Sequence, residues 1–294
     1  MNLRTKILNQ LVSWQMSGWS QGDIQAQRAR QEKAQRYVRL PQDIHCRPVD
    51  AAGVPAEWIE APGAGGRVLL YLHGGAFCLG SIASSREWIA RLAQATKMRA
   101  LAIDYRLAPE YPYPAALDDA RTAYLWLLKA AIKPAQLILA GDSAGGGLAL
   151  STLVGLRDAG YPLPAGAICI SPWTDLALSG GSIRDRARID PILSPADLDT
   201  YAAQYAGGRA RTEPLLSPLY ADLHALPPLL IQVGTNEILL DDAARCAGKA
   251  QAAGVDVTLE TWDGMFHVFQ MFPFLPETKR ALATMAHWAA ATAG

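Results

Sequence analysis

The 294-residue chain predicts an α/β fold in which a parallel sheet is covered on both faces by helices. Three observations lead there. Short apolar runs of strand length alternate with stretches of helix length along most of the chain. Half of the residues are hydrophobic and only 18% are charged, so one domain of this length can bury a large core. Near the middle, a strand-like run passes through a glycine-rich turn straight into a helical stretch.

The elements are read in order. Residues 1–20 are interrupted by Arg4, Lys6, Asn9 and Gln10 and carry no secretory signal pattern. Residues 21–39 are rich in Gln, Arg and Ala, which suits a solvent-facing helix outside the main core. Strands are expected at 68–72, 100–103, 137–140, 167–170, 229–233 and 255–261. Helices are expected at 84–96, 115–130, 146–157 and 241–253, with a terminal amphipathic one at 277–291. Residues 174–218 break the rhythm as a long polar insertion punctuated by Gly and Pro, with one helix at 195–205. Insertions of that length in compact domains usually serve function. The expected organisation is an N-terminal cap segment at 1–45 and a main α/β domain at 46–294, with a cap insertion at about 174–218.

Composition narrows the function classes. Twenty-seven basic side chains balance 27 acidic ones, so no global field draws the chain to nucleic acid or an anionic membrane. A small neutral substrate fits better. Cys46, Cys78, Cys169 and Cys246 are far apart and form no C-x-x-C pair, which argues against a zinc site or a disulfide framework. Reduced thiols, the missing leader pattern and the lack of a long apolar span give the expectation of a soluble, cytoplasmic protein without metal.

The chemistry centres on Gly141-Asp142-Ser143-Ala144-Gly145, between the strand at 137–140 and the helix that follows. Glycines two positions either side of Ser143 let the chain turn sharply without a Cβ clash, and the hydroxyl then stands above the sheet. The following helix aims its N-terminal N–H groups at the same spot. His73-Gly74-Gly75 follows the strand at 68–72, where backbone donors for an oxyanion belong. Gly74, Gly75 and Ala144 are the expected donors, with His73 ordering the loop.

A serine hydroxyl needs an imidazole base and a carboxylate to orient it, in the chain order Ser, acid, His. His45 and His73 precede Ser143, His224 precedes the next strand, and His287 falls in the terminal helix. That leaves His267, just past the last strand. Three carboxylates compete for the acid: Glu237 in the loop after 229–233, and Asp241 and Asp242 at the start of the next helix. Glu237 is preferred, because acids in a first helical turn commonly serve the helix dipole. Asp263 reads as a turn former. Trp173 either lines the acyl pocket or belongs to the core, and Trp14 and Trp19 either close the pocket or pack the cap down.

Together these residues resemble the hormone-sensitive-lipase-like α/β-hydrolases, the family IV bacterial esterases, from about residue 68 onward. The resemblance rests on His73-Gly74-Gly75, Asp104-Tyr105-Arg106-Leu107-Ala108-Pro109-Glu110 with Pro112, Pro114 and Ala115, the Ser143 turn with Gly146, Asp190-Pro191, and the His267 loop. Many members have Asp-Pro-Leu where this chain has Glu237-Ile238-Leu239, which is similar to the acetyl-hydrolase and monoterpene lactone hydrolase subgroup that uses Glu. The resemblance implies an α/β-hydrolase fold with an eight-stranded, mostly parallel sheet and a helical cap. It also implies short acyl substrates, no cofactor, and dimerisation through the last strand and helix.

The resulting expectation is a serine carboxylesterase acting on a small ester through Ser143, His267 and Glu237. A lactonase or N-acetyl hydrolase would use the same residues. A non-catalytic ligand-binding protein on the same scaffold is a further class, against which His267 argues. The Tyr105–Glu110 stretch is read as scaffold, with Arg106 and Glu110 tying a loop to its neighbours.

Overall fold

A computed structural model describes residues 10, 12–13, 22–35, 39–41 and 43–294. Eight strands form one sheet: β1 (His45–Asp50), β2 (Pro55–Glu60), β3 (Val68–Leu72), β4 (Arg99–Ile103), β5 (Leu137–Asp142), β6 (Gly166–Ile170), β7 (Leu229–Gly234) and β8 (Val257–Trp262). Their spatial order is β1-β2-β4-β3-β5-β6-β7-β8. β2 runs antiparallel to both neighbours, and every other pairing is parallel.

The main helices are α1 (Ile24–Gln35), α2 (Ile82–Thr96), α3 (Ala115–Lys129), α4 (Ala144–Asp158), α5 (Ser182–Asp185), α6 (Pro195–Ala206), α7 (Leu240–Ala252) and α8 (Pro276–Thr292). Alternate residues of β3 feed two cores. Val68, Leu70 and Leu72 pack with α3, α4 and α7, while Leu69 and Tyr71 pack with α2 and α8. This two-sided burial explains the unbroken apolar runs of the central strands.

The six strands expected from apolar runs are present, and the sequence reading missed β1 and β2. β2 is mostly buried but too short in apolar residues to stand out, with only Trp58 and Ile59 adjacent. β1 lies at the sheet edge and is largely exposed, and its residues His-Cys-Arg-Pro-Val-Asp carry no apolar alternation. The 174–218 segment lies between β6 and β7 and holds α5 as well as the expected α6. α1 has little apolar surface and is held by polar bonds. Arg28 donates from Nε to the Cys78 carbonyl at 2.8 Å and pairs with Glu110 at 2.8 Å, and the Tyr201 hydroxyl of α6 donates to Gln27 at 2.6 Å. Among the described residues no helix is long and apolar enough to cross a membrane.

Parallel pairing has a direct consequence for the site. The carboxyl ends of β3, β5, β6, β7 and β8 emerge on the same side, and the loops that follow them meet there.

Candidate active site

Ser143 sits between β5 and α4 with φ 53° and ψ −122°, a conformation that L-residues adopt only when the surroundings enforce it. Its N–H donates to the Ile170 carbonyl at 2.8 Å, and its own carbonyl accepts from Gly147 and Trp173. The flanking glycines are required by contact. A Cβ on Gly145 would lie 2.0 Å from the Leu72 carbonyl oxygen, and one on Gly141 would lie 2.4 Å from the Gly145 oxygen. The turn therefore wedges against the end of β3, with Ser143 at the head of α4.

The loop after β7 and the loop after β8 are stitched together. Thr235 N–H donates to Trp262, Asn236 N–H to Met265, and the Asn236 side chain to the Gly264 carbonyl. A Cβ on Gly234 would lie 2.2 Å from the Met265 oxygen, so the two loops approach at the closest distance a backbone allows. This contact brings Glu237 onto His267, with Oε2 2.7 Å from Nδ1. Glu237 is fully buried, and its Oε1 accepts from Ser171 Oγ at 2.8 Å and from the Gly234 N–H at 2.6 Å.

An ionised carboxylate only accepts, so His267 Nδ1 carries the proton toward Glu237 and Nε2 keeps its lone pair. Burial disfavours the charged ring, but the hydrogen bond and charge of Glu237, with Asp190 and Asp142 further off, outweigh it. The His267 pKa is raised above its usual 6.5. Asp190 is itself built in: its carboxylate accepts the N–H groups of Ile192, Leu193 and Ile238, joining the insertion to the residue after Glu237.

Ser143 and His267 line one cavity of about 230 Å³, walled by Ile192, Leu193, Leu198 and Tyr201 of the insertion and by Gln31 of α1. A second lobe of about 310 Å³ shares Gln31, Gly75, Asp142, Ile192 and Val268 with it and extends toward Ser84, Trp88 and Phe272.

The oxyanion loop departs from expectation at Gly74. Its N–H donates to Asp142 Oδ1 at 3.0 Å instead of facing the cavity unbound. The Gly75 and Ala144 N–H groups make no hydrogen bond to another described residue. His73 lies behind the loop with Nδ1 2.7 Å from the Gly74 carbonyl and its ring stacked on Tyr105, and burial lowers its pKa, so the ring is a neutral donor there.

Other expectations resolve as follows. Trp173 is a correction to the pocket reading: it is fully buried, tilted against Phe77 and bonded to the Asp175 carbonyl, and it lies in the core, outside the cavity lining. The close packing of Gly147 on the Trp173 carbonyl holds it there. Trp14 and Trp19 lie outside the described residues. Asp241 and Asp242 both sit at the start of α7, and Asp242 bonds the N–H groups of Thr174 and Asp175, not an imidazole. Asp263 receives the Thr235 hydroxyl at 3.4 Å. Arg106 pairs with Asp119 at 2.8 Å, and Glu110 pairs with Arg28. The reading missed Ser171 and Tyr71, and it named Asp190 only within the resemblance, without a role. Ser171 and Asp190 had one signal each, a Ser-Pro directly after a strand and an Asp-Pro in the insertion.

The model of a family described as having the alpha/beta hydrolase fold matches residues 69–271, which include Ser143, Glu237 and His267. The chain belongs to the α/β-hydrolase family. This hydrolase is 44% identical over 266 residues to an acetyl-hydrolase of Streptomyces hygroscopicus, covering 89% of this chain and 88% of that one. It is 40% identical over 248 residues to an esterase of Acinetobacter venetianus, covering 84% and 82%. A solved esterase from the bacterial hormone-sensitive lipase family superposes with a TM-score of 0.95 at 42% identity, over 100% of this chain and 99% of that one. The hydrolase thus falls in the hormone-sensitive-lipase-like branch.

Proposed function

We propose that this α/β-hydrolase is a serine carboxylesterase that hydrolyses small, short-chain acyl esters through Ser143, His267 and Glu237. The observation that carries the reading is the buried Glu237–His267 contact at 2.7 Å, opening onto the cavity that Ser143 also lines. A ligand-binding protein has no use for a polarised base beside a strained serine.

In the proposed reaction, His267 Nε2 takes the Ser143 proton as Oγ attacks the ester carbonyl. Gly75 and Ala144 N–H groups hold the oxyanion, and Glu237 stabilises the imidazolium that forms. The imidazolium then protonates the leaving alcohol, and water activated by the same ring releases the acid from the acyl-enzyme. The apolar wall of Ile192, Leu193 and Leu198 beside Ser143 supports an acyl group there, and the acetyl-hydrolase relative supports a short one. No step needs a cofactor.

In this reading the segment 1–45 and the insertion 174–218 act as the cap over the catalytic domain, supported by the Gln27–Tyr201 bond between them. Four free cysteines fit a cytoplasmic location, and the open edge of β8 beside α8 fits a homodimer. The decisive experiment is Ser143→Ala assayed on p-nitrophenyl acetate and butyrate. Turnover should vanish while the circular dichroism spectrum is kept. Retained turnover would exclude Ser143 as nucleophile.

A further inference from the structure

The oxyanion loop, residues 73–80, must present the Gly75 N–H to a point fixed by Ser143, and most of its anchors come from elsewhere in the fold. Tyr105 OH holds the His73 carbonyl at 2.7 Å, and Gln31 holds the Gly80 N–H at 3.1 Å. One anchor comes from the nucleophile turn itself. Asp142, adjacent to Ser143 in the chain, accepts the Gly74 N–H on Oδ1. That oxygen is fixed from behind: Tyr71 OH donates to it at 2.6 Å, and Trp88 Nε1 donates to the Tyr71 oxygen at 2.7 Å. All three side chains are buried, and a Cβ on Gly74 would lie 2.1 Å from Asp142 Oδ2, so the loop and the carboxyl are in close contact.

We propose that Asp142 is the positioning residue of the oxyanion loop. Its Oδ1, braced by Tyr71 and Trp88, locks the Gly74 peptide so that the next N–H, that of Gly75, faces the reacting carbonyl. Nucleophile and oxyanion donor are then linked through one side chain on the residue beside Ser143. The proposal rests on the serine-esterase reading above.

Loss of a single oxyanion donor lowers kcat about 10²- to 10³-fold, and a misplacement of about 1 Å can cost about 10²-fold. Asp142→Ala should therefore lower kcat on p-nitrophenyl butyrate by about 10- to 100-fold, with KM changed by less than about threefold. Affinity for a trifluoromethyl ketone, which forms the tetrahedral adduct, should fall in parallel. Asp142→Asn keeps an acceptor at Oδ1 and should recover most of the loss. Tyr71→Phe removes the brace but keeps the ring volume, and it should fall between wild type and Asp142→Ala. It also serves as the test if Asp142→Ala does not fold.

An Asp142→Ala protein, or Tyr71→Phe in its place, with wild-type kcat and ketone affinity overturns the proposal. So does an Asp142→Asn variant as impaired as the alanine. Wild-type protein that resists a serine-directed phosphonate would instead overturn the esterase reading, so the two failures are told apart.

Discussion

Glu237→Gln tests the proposed chemistry most directly, because the amide has nearly the same shape but reverses one hydrogen bond. The wild-type carboxylate accepts from Ser171 Oγ, from the Gly234 N–H and from His267 Nδ1. The Gly234 N–H is a fixed donor, so the single carbonyl oxygen of glutamine must serve it and Ser171. The NH2 group is then turned to His267, Nδ1 becomes the acceptor, and the proton moves to Nε2. The ring loses the lone pair that would deprotonate Ser143. A carboxylate-to-amide change at the same position of a serine protease triad lowers kcat by about 10⁴-fold for this reason. We expect a loss of about 10³- to 10⁴-fold here, equivalent to about 4–5.5 kcal/mol of barrier.

The assay is kcat and KM on p-nitrophenyl butyrate from pH 5 to 9, with folding followed by circular dichroism. A general base must be neutral, so the raised His267 pKa places the acid limb of the wild-type profile above 6.5. Without the Glu237 charge, burial has less opposition, and the limb of the residual activity should move to lower pH. Asp242→Asn in the same assay should stay within a few-fold of wild type, since Asp242 bonds only the insertion backbone and has an orphaned second oxygen. A loss under tenfold in Glu237→Gln, a larger loss in Asp242→Asn, or an upward shift of the acid limb would each refute the reasoning.

Two stability predictions follow from the packing. Burial pushes the Asp242 pKa from 3.8 up to about 8, so the folded chain keeps a proton that the unfolded chain releases. The contribution of Asp242 is thus fully present below its unfolded pKa and is lost as pH rises through the folded one, at no more than about 1.4 kcal/mol per pH unit. In urea unfolding, Asp242→Asn should gain on wild type steadily from pH 5 to 8, and parallel curves would count against that protonation. Gly145→Ala places a Cβ 2.0 Å from the Leu72 oxygen and 2.6 Å from the His73 oxygen, both backbone atoms. It should destabilise the protein by about 3 kcal/mol, at the upper end of ordinary overpacking, and a melting temperature within 2–3 °C of wild type, roughly 1 kcal/mol at this size, would show that β3 yields.

How much of this was legible in the sequence follows from range. Strand, turn and helix around Ser143 are contiguous, and the central strands announce themselves because both their faces are buried. β1 did not, since an exposed edge strand places no demand on apolar periodicity, and β2, although buried, offers only Trp58 and Ile59 as adjacent large apolar residues. Chain order pointed to His267 and loop position to Glu237, but the loop contact that joins them comes from Gly234 on Met265, a backbone approach across more than 30 residues of sequence. Ser171 bonds Glu237 66 residues away and receives the Val268 N–H 97 residues away, so the local Ser-Pro after β6 does not reveal its partners. Trp173 illustrates the converse. Its place after β6 suited a pocket wall, and only its burial beneath Phe77 and against Gly147 puts it in the core.

Asp142 raises one electrostatic question that the geometry also answers. A charged carboxylate touching the Gly74 N–H would oppose an oxyanion growing beside Gly75: at an effective dielectric of about 20, two like unit charges about 4 Å apart repel by about 4 kcal/mol. Burial raises the Asp142 pKa, while the bonds from Tyr71 and Gly74 pull the other way. The balance favours the neutral form more than in water, which weakens that repulsion. A neutral carboxyl still accepts through Oδ1, so the loop anchor survives loss of the charge. The oxyanion is supported from the other side by the head of α4, where the helix N-terminus favours negative charge.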